Sequence, residues 1–191
     1  VVVFDVVEGL ANRWADENVG EAADSVASAV TGAEFVITSL PADRALQAVA
    51  DDLVPAIAAG AVWVDHSTTS AQLARAVGAS VSAADAYFLD APVSGGVDGA
   101  RKGVLTVMVG GDEGAFARAE PVVGSYAARV RRMGGPGAGQ LTKMTNQICV
   151  VGLCQALAEG LDFASRAGLD VQNVVEAMLQ GSSTSWQMEN R

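Results

Sequence analysis

The chain has 191 residues, half of them hydrophobic and 5% aromatic, enough for one domain or one domain plus part of another around a sizeable core. Its 22 acidic against 12 basic residues give a net charge of −10, which speaks against a nucleic-acid partner: neutralising phosphates takes a basic patch, and the visible basic cluster is Arg129, Arg131 and Arg132. One histidine and two dispersed cysteines do not make a zinc site, and no signal sequence or apolar run long enough to span a bilayer is evident, so a soluble cytoplasmic protein with no metal and no membrane partner is expected.

In chain order, "VVVFD" reads as a buried strand ending at Asp5, and with no methionine before it the chain reads as starting inside a fold. "EGLANRWADEN" has helical spacing, with Leu10, Trp14 and Val19 turned inward; "DSVASAVTG" is a short helix closed by Gly32. "EFVITSLP" is a second strand. "ADRALQAVADDLVPAIAAG" is a helix kinked at Pro55. "AVWVDHSTTS" is a third strand with a Ser/Thr turn able to cap the helix "AQLARAVGASVSAAD". "YFLDAPVSGG" is a fourth strand running into a turn, "VLTVMVGG" a fifth, "DEGAFARAEPVV" a helix and "ARVRRMG" a sixth strand. Strands alternating with helices imply an α/β fold, Rossmann-like, with a mostly parallel doubly wound sheet.

After Gly139 no strand signal returns, and residues 140–167 hold two glycines and no proline. We expect a boundary near Gly137, dividing a sheet domain (residues 1–136) from an all-α segment (137–191), and a second helix over residues 170–180. Cys149 and Cys154 fall in the first of these helices and are expected to be buried free thiols.

Chemistry has several candidate seats. Asp5 closes a strand, where it could bind a ribose or simply be solvated. "SLP" (39–41) and "DHSTTS" (65–70) follow strands, so their hydroxyls could face a ligand or cap helices; His66, alone in a turn, reads as a surface residue. In "DAPVSGG" Pro92 fixes a turn, and Gly95 and Gly96 expose backbone amides that could hold a carboxylate or belong to an ordinary glycine turn. Lys143, Asn146 and Gln147 share one helix face; Lys143 either snorkels to solvent or sits in a dry cleft with a lowered pKa.

"ITSLP", "DHSTT", "DAPVSGGVDGARKGVLTVMVGG", "GAGQLTKMTNQ" and "GLD" near 170, in that order and spacing, resemble the β-hydroxyacid dehydrogenases, whose members include 3-hydroxyisobutyrate dehydrogenase and tartronate semialdehyde reductase. The resemblance implies a Rossmann-like domain followed by a helical one, with NAD as cofactor and NADP less favoured. Asp5 would accept from the adenosine ribose, Leu40 and Pro41 would line the cofactor, and Thr68 would lie near the nicotinamide. Ser94, Gly95 and Gly96 would hold the substrate carboxylate, Lys143 would be catalytic, and Asn146 and Gln147 would orient the substrate. A homodimer or homotetramer through the helical domain is implied, with apolar residues of 148–164 in contact.

The sequence departs from the pattern in places. It begins at what would be the second strand, without the glycine-rich first turn, and it lacks the late helices. Gln147 stands where 3-hydroxyisobutyrate dehydrogenases usually carry asparagine, and "NQ" resembles tartronate semialdehyde reductases. Imine reductases share the scaffold but usually lack the lysine. The expected activity is thus interconversion of a 3-hydroxyisobutyrate-like acid and its semialdehyde. The alternatives are tartronate semialdehyde, succinic semialdehyde or glyoxylate reduction, or a catalytically silent fragment or scaffold.

Overall fold

The structure, a computed structural model, describes residues 1–190. It falls into two compact units, Val1–Lys143 and the residues from Met144 onward.

The first unit opens with a two-stranded parallel pair, β1 (Val2–Val3) and β2 (Glu21–Ala22), joined through α1 (Leu10–Glu17). The inward side of this helix is thinner than expected: none of its residues is buried, and Val19, beyond its end, is 97% exposed. Trp14 instead lies over Gly20, where a Cβ would collide with its ring. α2 (Val26–Val30) starts at a capping box in which Ser25 and Ser28 satisfy each other's backbone N–H.

Then come β3 (Phe35–Thr38), α3 (Asp43–Leu53), β4 (Val62–Asp65), α4 (Ala71–Ala83) and β5 (Tyr87–Asp90). α3 stops at Leu53 rather than running on through a kink: Pro55 has no N–H to continue the ladder, and the chain leaves through turns. β3, β4 and β5 are parallel and in register, so Thr38, Asp65 and Asp90 line up at their carboxyl ends.

The sheet continues through β6 (Val93–Ser94) and, after α5 (Gly96–Arg101), through β7 (Leu105–Gly110), which runs antiparallel to both β5 and β6. The reversal has a physical cause. Residues 95–104 are fewer than the dozen or so that a parallel crossover needs. α6 (Glu113–Val123) then returns the chain to β8 (Ala127–Gly134), parallel to β7 and hydrogen-bonded to no other strand among the described residues. Order in the six-stranded sheet is β3-β4-β5-β7-β6, with β8 on β7.

Both faces of the sheet are covered. Val36, Trp63 and Phe88 pack with Leu46, Leu53, Val77 and Val81 of α3 and α4. Val62, Val64 and Leu89 pack with Ala115, Ala119 and Val123 of α6. Successive residues of β4 thus feed opposite cores, as the pleat requires, and this is why "VWV" is apolar throughout.

The second unit contains most of α7 (Ala138–Arg166), then α8 (Val171–Leu179) and α9 (Trp186–Asn190). "GLD" makes the corner: Gly168 takes φ +76 and Leu169 N–H donates to Ala164 C=O, closing α7, while the Asp170 carboxylate caps α8 through Gln172 and Asn173 N–H. Two expectations fail here. Cys149 and Cys154 are free but exposed, because most of the apolar surface of α7 is uncovered, Ile148, Val151 and Phe163 included. And α7, at 29 residues with a window of mean hydropathy 1.4, is long and apolar enough by length and composition to cross a membrane; many of its polar residues are gathered at positions 140–147, ahead of the apolar stretch.

Candidate active site

The carboxyl ends of β3, β4 and β5 carry a layer of buried polar side chains. Trp63 Nε1–H donates to Thr38 Oγ1 (2.8 Å), and Thr38 Oγ1–H donates to Asp65 Oδ1 (2.7 Å). Ser67 Oγ–H donates to the same oxygen (2.5 Å) and accepts from Leu40 N–H (2.8 Å). The turn bearing Leu40 and Pro41 is thereby fixed to the turn bearing Thr68, which is itself exposed. Burial raises the pKa of Asp65, against the bonds from Ser67 and Thr38. Ser70 fulfils the capping expectation: its hydroxyl accepts from Leu73 N–H at the start of α4.

His66 overturns the surface reading. It is buried, with Nδ1 2.7 Å from Ala91 O and Nε2 2.7 Å from Tyr126 Oη, and burial lowers its pKa. The residue looked solvent-bound because it follows a strand, yet the α6–β8 link brings Tyr126 over it.

Asp90, buried at the end of β5, accepts from Gly137 N–H (2.7 Å) and Gln140 N–H (2.9 Å). It is a cap for α7 supplied from another element, and it answers N–H groups the first turn cannot satisfy itself. Burial raises its pKa, opposed by those same N–H bonds. Gln140 is fully buried: its Oε1 accepts from Thr69 N–H (3.0 Å) and its Nε2 donates to Ser67 O (2.8 Å). The glycines make this contact possible. A Cβ on Gly139 would collide with the carbonyls of Asp90 and Met108, and one on Gly110 with the Asp90 carboxylate; Gly134 and Gly137 turn the chain with φ of +147 and +84.

The three motifs after β4, after β5 and before α7 are therefore one hydrogen-bonded assembly. All three segments stand out in the sequence, but nothing in their spacing assigns a role to Asp90, Gln140 or Tyr126. The available signals were an aspartate closing an apolar strand and a glutamine set among small residues.

At the other end of that assembly, Gly95 and Gly96 take φ of +126 and +61, at the start of α5, and Ser94 is half-buried beside them. Lys143 is half-buried one turn beyond Gln140, and desolvation lowers its pKa. Asn146 and Gln147 follow on the same side of α7 as Lys143, and Asn146 Nδ2–H donates to Gln147 Oε1 (3.0 Å). Asp5 stands outside the assembly: it is exposed, and its Oδ1 accepts from Val7 N–H (2.8 Å). Among the described residues no group of three or more His, Cys, Asp or Glu is placed to hold a metal.

A doubly covered, largely parallel sheet with its polar turns beyond the carboxyl ends of the strands is the architecture of dinucleotide-dependent enzymes. Comparison with known proteins agrees. Residues 1–135 match the NAD-binding domain of 6-phosphogluconate dehydrogenase, and residues 137–191 match the NAD-binding domain of NADP-dependent 3-hydroxyisobutyrate dehydrogenase. The chain belongs to the β-hydroxyacid dehydrogenase family, a family of NAD(P)-dependent oxidoreductases.

An uncharacterised oxidoreductase of Shewanella frigidimarina is 44% identical over 100% of this chain and 67% of its own length. The 3-hydroxyisobutyrate dehydrogenase of Pseudomonas aeruginosa is 37% identical over 97% of this chain and 63% of its own. The solved structure of Mycobacterium tuberculosis 3-hydroxyisobutyrate dehydrogenase with L-serine superposes with a TM-score of 0.89 at 33% identity, covering 98% of this chain and 64% of that one. The chain thus spans about two thirds, or less, of the length of these relatives.

Proposed function

We propose that the protein interconverts a small β-hydroxy acid, 3-hydroxyisobutyrate-like, and its semialdehyde, with Lys143 as general acid and base. The observation that carries this reading is the setting of Lys143: half-buried, with a lowered pKa, on a helix whose first turn is held by Asp90 and Gln140.

The residues fit a nicotinamide dinucleotide. Leu40 is fixed by Ser67, Pro41 and Thr68 are exposed beyond the strand ends, and Asp5 is an exposed strand-end carboxylate. Leu40, Pro41 and Thr68 would line the cofactor, and Asp5 would accept from a ribose hydroxyl, which favours NAD over NADP. The bound cofactor supplies or takes the hydride. Ser94 Oγ and the Gly95 and Gly96 amides would hold the substrate carboxylate, a task for which two glycines with positive φ leave the backbone accessible. Asn146 and Gln147 would orient the reacting end. Lys143 Nζ would donate a hydrogen bond to the carbonyl oxygen as charge develops there, then yield its proton; in the oxidative direction the neutral amine would take it back.

Residues 137–191 would form the substrate and subunit-contact segment, the exposed apolar residues of 148–164 pairing two or four copies in a soluble, cytoplasmic enzyme. Gln147 favours a second reading of the substrate, a more polar semialdehyde such as tartronate semialdehyde, with succinic semialdehyde and glyoxylate as the nearest alternatives.

The test is turnover of these acids by the full-length natural protein with NAD(H) and NADP(H). Lys143→Ala is expected to lower kcat by roughly 10²–10⁴-fold; wild-type activity in that variant would sink the mechanism. Absence of NADH binding to both the 191-residue chain and the full-length protein would point to a silent scaffold instead.

A further inference from the structure

His66 takes no part in the chemistry above, yet both its ring nitrogens are engaged deep in the first unit. Nδ1 lies 2.7 Å from the Ala91 carbonyl oxygen and Nε2 2.7 Å from the Tyr126 hydroxyl. The partners fix the protons. A carbonyl only accepts, so Nδ1 carries the hydrogen; burial keeps the ring neutral, so Nε2 accepts and Tyr126 donates. Burial pushes the Tyr126 hydroxyl up to about 12, so it keeps its proton. The two rings meet edge-on, with centroids 5.6 Å apart at 86°.

The imidazole is thus a rigid crosspiece between the end of β4, the β5–β6 link and the residue before β8. Its hold on the β5–β6 link falls at a decisive place. Ala91 N–H donates to Asp65 O (2.7 Å) while Ala91 O accepts from His66, so the peptide groups on both sides of Ala91 are pinned. The next residue, Pro92, has a fixed φ and accepts from Met108 N–H (3.0 Å). Val93 and Ser94 then pair with Val107 and Thr106, and Gly95 follows. Little conformational freedom separates the Ala91 carbonyl from Ser94, so a shift at one is transmitted to the other.

We propose that His66, braced by Tyr126, is a positioning residue that sets the pose of the Ala91–Gly95 turn and through it the affinity for the substrate carboxylate. This rests on the reading that Ser94, Gly95 and Gly96 hold that carboxylate.

Two amide substitutions separate the two bonds. Asn places its amide near Nδ1, keeping the donor to Ala91 and abandoning Tyr126. Gln reaches the Nε2 position, keeping Tyr126 and abandoning Ala91. In the full-length natural protein, His66→Gln is expected to raise the KM for the carboxylate substrate about tenfold, with kcat and the KM for the cofactor changed less than about twofold, as expected for lost uniform binding. It should also speed amide hydrogen exchange of residues 93–96 about tenfold relative to β4. His66→Asn should retain most of both properties, and Tyr126→Phe, which leaves the imidazole and its bond to Ala91 in place, should retain at least as much. Nitrogen NMR of wild-type His66 should show Nδ1 protonated and Nε2 as a bare acceptor.

Unaltered exchange and KM in His66→Gln, equal losses in the Asn and Gln variants, or the opposite tautomer would each overturn the proposal. If the wild type turned over no carboxylate, the functional reading would be what failed, and exchange in the variants would still decide whether His66 orders the turn.

Discussion

Asp90 is the last residue of β5 and Asp5 lies two residues past β1, and the molecule treats these two aspartates in opposite ways. Asp90 is 1% exposed and accepts from two backbone N–H groups of another element. Asp5 is exposed and accepts from its own neighbour two residues on. Around Asp90 there is no room even for a methyl group on Gly110 or Gly139; around Asp5 the strands are two residues long and, among the described residues, pair only with each other. One end of the proposed site is therefore built into the core, while the other is a lightly supported surface. A buried carboxylate is tolerated where hydrogen-bond donors replace water, and those of Asp90 are backbone N–H groups, so Asp90 commits the surrounding chain to one geometry, whereas Asp5 commits nothing beyond its turn.

This contrast can be broken experimentally. The largest effect is expected for Gly139→Ala, which drives a methyl into two carbonyl oxygens: a loss of about 3 kcal/mol in denaturant unfolding. Gly135→Ala, with no atom near the added carbon, should stay within about 0.5 kcal/mol. Equal effects would show the Asp90 region to be less closely packed than described. Gln140→Leu strands Thr69 N–H and Ser67 C=O, at roughly 2–3 kcal/mol. Asp90→Asn keeps one acceptor but turns an NH₂ toward a backbone N–H, at roughly 1–3 kcal/mol, and it should lower kcat by displacing the start of the lysine helix; an unchanged kcat would separate the cap from the chemistry.

The pH dependence is expected to be smaller. Because the folded pKa of His66 is lowered, its contribution to stability is complete above about 6.5 and is lost as the pH falls below that value. Asp65 and Asp90, with raised values, act in the reverse sense: their contribution is greatest below 3.8 and declines as the pH rises through their folded pKa. The difference in Tm between wild type and His66→Asn, followed from pH 8 to 5, isolates the histidine; the wild type should lose more. The smallest structural effect belongs to Asp5→Ala, within about 0.5 kcal/mol, although NADH should bind more weakly and NADPH should not. A large loss of stability there would contradict the contrast between the two aspartates.

The alternation of strands and helices is legible because each of β3, β4 and β5 is only four residues long and closes its apolar run with a polar residue, a length that suits a strand and not a helix. The turn of β7 against β5 was written only in the shortness of residues 95–104, a length rather than a motif. Asp90, Gln140 and His66 were harder to read because each earns its role from a partner 25 to 50 or more residues away, and periodicity carries no such information. Val19, Cys149 and Cys154 were misread for the opposite reason. An apolar side chain in a helical pattern implies a core, and the thin packing on α1 and α7 gives it none.

The arginines of β8 gain meaning from where that strand lies. β8 pairs with β7 alone among the described residues, and Arg129, Arg131 and Arg132 stand on it, largely exposed, in a chain of net charge −10. A strand with one free edge is a template on which another copy can lay down a strand and begin a fibril. Three like charges within four residues make that approach repulsive between identical edges, so the acidic chain keeps its densest basic cluster where self-association through the backbone would otherwise start.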